Sequence, residues 1–121
     1  MRRPERIAET LREEISAIVG YELDDPRVQS VSVTEVRVAD NLRDAKVYVM
    51  VEGQEEEIIA ALIALRNAAP YIRKQVAIAL NMRHAPVLHF ARDTVEERAN
   101  RIENLLLEIN KEGNEERGGR E

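Results

Sequence analysis

No cysteine occurs among the 121 residues. Disulfides, thiolate metal sites and cysteine nucleophiles are thereby excluded, and a reducing cytosol fits this composition. Histidine is limited to His84 and His89, which excludes a histidine-rich metal centre. Aromatic residues are equally scarce: Tyr21, Tyr48, Tyr71 and Phe90 are the whole set. The core must therefore be aliphatic. No apolar run approaches the ~20 residues that span a membrane, and the N-terminus carries no secretory signal. These absences point to a soluble cytoplasmic protein without a membrane partner. No bound metal or cofactor is expected.

What remains is 44% apolar and 34% charged, enough for one packed core and too apolar for a disordered chain. A single domain over residues 1–110 is expected. Residues 111–121 hold nothing apolar and read as a disordered polar tail.

Ile7, Leu11, Ile15, Ile18 and Val19 share one helical stripe, predicting a helix from about Pro4 to Leu23. Gly20 weakens its last turn, and Asp24-Asp25-Pro26 stops it, because Pro26 biases Asp25 towards extended backbone. Val28 to Ala39 reads as a strand. Its alternation changes phase between Val33 and Val36, predicting a bulge near Thr34-Glu35. Asp40-Asn41 signals a turn into a second, antiparallel strand over about Arg43–Glu52. Ala45, Val47, Val49 and Val51 face one way there, and Lys46, Tyr48 and Met50 the other. After Gly53, Glu55-Glu56-Glu57 opens a helix at its favourable end. Ile58, Ile59, Leu62, Ile63 and Leu65 give that helix a broad apolar side. Pro70 is expected to break it at Ala68-Ala69-Pro70 and to begin a second helix reaching Leu80. A third strand covers about Pro86–Ala91, with Leu88 and Phe90 inward. Asp93 or Thr94 then caps a last helix, Thr94 with Glu97 forming a capping box. Its stripe continues through Val95, Ile102, Leu105, Leu106 and Ile109. The fold class is α+β, with three strands and helices packed on one face, in the order α-β-β-α-(kink)-α-β-α.

The net charge of −5 hides a strong asymmetry. From Arg66 to Arg92 there is no Asp or Glu, and Arg66, Arg73, Lys74, Arg83 and Arg92 give +5, leaving −10 elsewhere. Arg2, Arg3 and Arg6 form a second basic cluster. Such a window serves either as a solvated basic face or as a docking surface for phosphates. A helix starting at Pro70 would add free N–H groups to it. His84 and His89 have no nucleophile or carboxylate beside them in the window, so no catalytic pair is expected. Tyr48 and Tyr71 are the sole plausible base-stacking platforms, and either serves equally as a packing residue. Backbone and shape should then dominate any RNA recognition. Arg27 is expected to pair with Asp24 or Asp25.

The element order resembles the type II KH fold. The usual Gly-x-x-Gly loop of that fold is absent, and Ala68-Ala69-Pro70 stands in its place. Together with Glu22-Leu23-Asp24-Asp25-Pro26-Arg27, Asn41-Leu42-Arg43-Asp44-Ala45-Lys46-Val47-Tyr48-Val49, Asn67-Ala68-Ala69-Pro70-Tyr71-Ile72-Arg73 and Pro86-Val87-Leu88-His89-Phe90-Ala91-Arg92-Asp93, this resembles the bacterial ribosome-binding factor A family. Glu97-Arg98 and Arg101-Ile102 close the match, which covers about Arg3 to Leu106. The family's junction is usually Ala-x-Gly, and here Pro70 replaces the glycine.

The resemblance implies a non-enzymatic assembly factor for the free small (30S) ribosomal subunit. It implies support of late maturation and 5′-end processing of 16S rRNA, a role in cold adaptation, and release assisted by a GTPase. A monomer is expected. Arg73 and Lys74 lead the RNA-contact candidates, followed by Arg66, Arg83, Arg3 and Arg6. Arg43 and Lys46 either contact RNA or pair with Glu35 or Asp44. The rival readings are a KH-like RNA binder without a ribosomal role and a dimerising interaction module.

Overall fold

The computed structural model describes residues 3–96, 98–100, 102–103 and 106–107. Helix α1 spans Arg3–Ala17 and passes into a π-helical turn, Ile18–Glu22, closed by Leu23 N–H donating to Ile18 O at 3.1 Å. The wider turn lets the consecutive residues Ile18 and Val19 both enter the core. Asp25 is extended, as Pro26 demands, and its carboxylate caps a 3₁₀ turn over Pro26–Val28. That turn takes Val28 out of the first strand and into the core.

Strand β1 (Val31–Val38) and strand β2 (Asp44–Val51) form the predicted antiparallel hairpin. The register shifts between Val33 and Glu35, as the phase change requires. The shift keeps Val31, Val33, Val36 and Val38 all packed on the core side. Leu42 N–H donates to Ala39 O at 2.9 Å, and Asn41 Oδ1 accepts from Arg43 N–H at 2.8 Å, which sets the hairpin turn. Strand β3 (Val87–Arg92) then pairs with β2 in parallel, giving the order β1-β2-β3.

The expected helix break is absent. A single helix α2, Glu55–Ala79, runs through Pro70. Leu65, Ile72 and Val76 are fully buried on one face of it, on both sides of the proline. Each such burial contributes ~1.5–3 kcal/mol, which favours continuing the helix. Pro70 itself is exposed, so the Arg66 carbonyl that loses its i+4 donor lies near solvent. The core side of α2 is also narrower than its apolar content suggests, since Ile59 and Ile63 are half exposed. A left-handed Asn81 (φ 51°) ends the helix, with Met82 N–H bonded to Ala77 O at 2.8 Å and Asn81 N–H to Ile78 O at 3.2 Å.

Helices α1 and α2 cover one face of the sheet, the expected α+β, KH-like layering. Leu11, Ile15 and Ile18 pack against Val47 and Val49, with Leu65, Ile72, Leu88 and Phe90 completing an aliphatic core with one ring. Described residues from 95 onward are helical. Thr94 O accepts from Arg98 N–H at 2.9 Å, which makes Thr94 the capping position. Glu97, the other half of the expected capping box, lies outside the described residues, as do Leu105, Ile109 and the tail 111–121. Val95 is 84% exposed, and Ile102 and Leu106 are more than half exposed, so these three members of the stripe do not join the core.

Candidate nucleic-acid interface

The structure divides the predicted cations among separate places. Arg66 and Arg73 lie seven residues apart on α2, nearly two full turns, and therefore on one flank. That flank faces β3, whose outer edge has no partner strand among the described residues. Arg73 Nε donates to Ala85 O at 2.8 Å, and Arg66 Nη2 reaches Phe90 O at 3.5 Å. Arg66 thus satisfies a carbonyl of the edge strand and Arg73 one in the segment just before it, which helps protect that edge. Arg92, the last cation of the acid-free window, is paired with Glu55 at 2.9 Å. Three of the five window cations therefore have structural partners.

Lys74 and Arg83 differ. Both are exposed, and among the described residues neither makes a hydrogen bond or ion pair. Lys74 projects from the solvent side of α2 less than two turns before its end. Arg83 follows the cap at Asn81. Arg6, on α1, is brought to the same end, where it lines a groove of about 240 Å³ with Ile7, Thr10, Leu80 and Met82. Parts of the two basic clusters, distant in sequence, thus converge around the C-terminal turn of α2. Arg2 and the side chain of Arg3 lie outside what the structure describes.

No helix begins at Pro70, so the expected set of free N–H groups is not there. Ala68 and Ala69 pack against the core, and Pro70 faces outward. Tyr48 is only 4% exposed and offers no open ring to a base. Tyr71 is 47% exposed and remains available for stacking.

Lys46 is on the other layer, the sheet face turned away from the helices, with Nζ 5.3 Å from the Tyr48 ring centroid. The carboxylates suggested for it have other neighbours. Asp44 lies 2.9 Å from His89 Nε2, and Glu35 lies 3.9 Å from Arg37 Nε. Arg43 is exposed at the hairpin end. His89 thus acquires a carboxylate from the adjacent strand, outside the acid-free window. Sequence inspection missed this because the parallel pairing of β3 with β2 joins residues 45 positions apart. Among the described residues no three His, Asp or Glu side chains converge as a metal site.

Two further carboxylates, Asp25 and Asp93, fix the frame. Arg27 Nη2 is 2.8 Å from Asp25 Oδ2, and this guanidinium holds the Asp25 carboxyl below its ordinary value. Asp93 is 6% exposed; it accepts from the Thr34 hydroxyl at 2.6 Å and from Arg98 Nη2 at 3.0 Å. Its carboxylate ties the bulge of β1 to the start of the C-terminal helical residues.

The family model for ribosome-binding factor A matches residues 3–106. A ribosome-binding factor A of Thermomicrobium roseum is 48% identical, covering 91% of this chain and 85% of its own. That of Desulfitobacterium hafniense is 41% identical over 96% of this chain and 93% of its own. The crystal structure of ribosome-binding factor A from Thermus thermophilus superposes with a TM-score of 0.66 at 26% identity, covering 75% of this chain and 97% of that one. A homology model of Thermus thermophilus ribosome-binding factor A, fitted into a cryo-EM map of a 30S complex of that factor, gives a TM-score of 0.54 at 31% identity, covering 74% and 89%. Since the match takes in the hairpin, both long helices and the third strand, the chain belongs to the ribosome-binding factor A family.

Proposed function

We propose that this protein is a non-enzymatic assembly factor that binds the free small ribosomal subunit by docking on 16S rRNA. Its role is late maturation of that subunit, including 5′-end processing of the 16S rRNA and growth in the cold. It acts in the cytoplasm as a monomer, and an assembly GTPase assists its release. The reading is carried by the likeness to a chain fitted into a 30S complex. Lys74 and Arg83, both exposed and unpaired among the described residues, together with Arg6 at the groove by Leu80 and Met82, are cations free to meet rRNA phosphates from the helical side. Arg73 contributes through its remaining guanidinium nitrogens while its Nε holds Ala85. Bound there, the factor stabilises the rRNA conformation that fits it, shifting the population towards that state.

Co-sedimentation tests this. The protein should pellet with isolated small subunits and not with joined ribosomes. Pelleting with neither overturns the reading, and a stable dimer without RNA affinity favours an interaction module instead.

A further inference from the structure

The sheet face turned away from α1 and α2 carries one cross-strand row of basic side chains. Arg37 on β1 stands directly opposite Lys46 on β2, and Lys46 stands opposite His89 on β3. Each strand contributes one member at the same register. The bulge creates the alignment. It places Arg37 in phase with Lys46, whereas a slip of one residue turns a side chain to the other face. Like charges set directly opposite each other destabilise a sheet. Arg37 and Lys46 therefore repel each other across the strands, offset only by the loose Glu35 contact of Arg37 at 3.9 Å and by the Tyr48 ring 5.3 Å from Lys46 Nζ.

The row borders a groove of about 630 Å³, also lined by Tyr48, Asp40 and Asp44. Asp44 is held by His89 at 2.9 Å, and Glu35 lies 3.9 Å from Arg37 Nε. Lys46, in the middle, has the Tyr48 ring beneath it and no ion pair among the described residues. Tyr48 is packed away, so the groove offers charge and no stacking surface.

We propose that Arg37, Lys46 and His89 form a second RNA-docking surface that takes the sugar-phosphate backbone. This rests on the reading of the protein as an rRNA binder and adds a contact on the opposite layer from Lys74 and Arg83. The Arg37 fork can grip a phosphate through two N–H groups and Lys46 supplies a point charge, while His89, whose Nε2 is held by Asp44, borders the site. A phosphate between Arg37 and Lys46 removes the repulsion that the free protein bears. With cations on both layers, the domain fits between two segments of folded RNA and not along one extended strand.

The test compares Arg37→Ser/Lys46→Ser with Lys74→Glu/Arg83→Glu in small-subunit pelleting across salt concentrations. The sheet-face variant should bind about tenfold more weakly, with its log–log salt slope reduced in magnitude by about 1.4 for two lost phosphate contacts. Its thermal midpoint should stay level or rise, since a like-charge pair is gone. A folded variant with unchanged affinity and slope overturns the second surface and leaves the rRNA reading intact. Weakened binding at unchanged slope overturns the assignment to phosphate and points to a protein contact. If the wild type fails to pellet at all, the functional reading falls, and the row is judged on naked 16S rRNA. There, RNA-induced changes in the amide signals of Arg37, Lys46 and His89 sustain it, and their absence overturns it.

Discussion

Asp25 and Arg27 form a tight local unit. The Asp25 carboxylate caps the 3₁₀ turn by accepting from Arg27 N–H at 2.9 Å and meets the same residue's guanidinium at 2.8 Å. Both contacts favour the charged carboxylate, side-chain bond first, and they lower its titration point. A carboxyl whose native value is depressed stabilises the fold above its unfolded value. That contribution is lost as pH falls through the native value. Replacing Arg27 with Ala should return the Asp25 titration, followed by carboxyl carbon NMR, towards 3.8. Stability at neutral pH should change little, because exposed pairs contribute weakly. The sequence offered Asp24 and Asp25 equally as partners. Pro26 decides between them, since it holds Asp25 extended (φ −131°) with its side chain turned over the following N–H groups. Asp93 shows the opposite case. A helix-capping role was readable from its position, but its bond to Thr34, 59 residues away, depends on where the bulge falls.

Helix α2 is the element in which local and tertiary preferences compete. Interior proline ordinarily costs ~3 kcal/mol, through a lost hydrogen bond and a clash with the preceding turn. Its rigidity returns part of that, ~1 kcal/mol, by restricting the unfolded chain. Replacing Pro70 with Ala should therefore restore the bond to the Arg66 carbonyl and stabilise the protein by ~2 kcal/mol, read as a higher denaturation midpoint. A drop in stability would show instead that Ala68, Ala69 and Ile72 are packed around the shape proline imposes. The hairpin, its bulge and its core face were legible because alternation at period two is unambiguous in a Val-rich stretch. The continuity of α2 was not, since the proline rule concerns one turn while Leu65, Ile72 and Val76 bury a face along the whole element. The row Arg37–Lys46–His89 was illegible for another reason. Cross-strand neighbours follow from the bulge and from the parallel return of β3, and neither sets a spacing within any one segment.

At the scale of the whole molecule, charge is sorted by what each cation already holds. The stretch from Arg66 to Arg92 carries +5 in a chain of −5. Yet Arg92 is neutralised by Glu55, and Arg66 and Arg73 tie α2 to carbonyls around β3. Lys74 and Arg83 remain unpaired among the described residues, so they should dominate the salt dependence of docking from the helical side. Replacing both with Glu should weaken small-subunit pelleting steeply at low salt. The log–log slope should fall in magnitude by about 1.4, near 0.7 for each phosphate contact removed. Circular dichroism should be unchanged, because neither side chain supports another residue. Replacing Arg73 with Glu should behave differently, lowering both binding and thermal stability, since the Ala85 carbonyl loses its donor. If the Lys74/Arg83 variant binds as the wild type does across the salt series, the end of α2 is not where RNA docks. The acidic remainder of −10 then has a clear consequence as well. It repels phosphates from approaches other than the end of α2 and the Arg37–Lys46 row, so that weak, salt-sensitive binding still selects one orientation on the RNA.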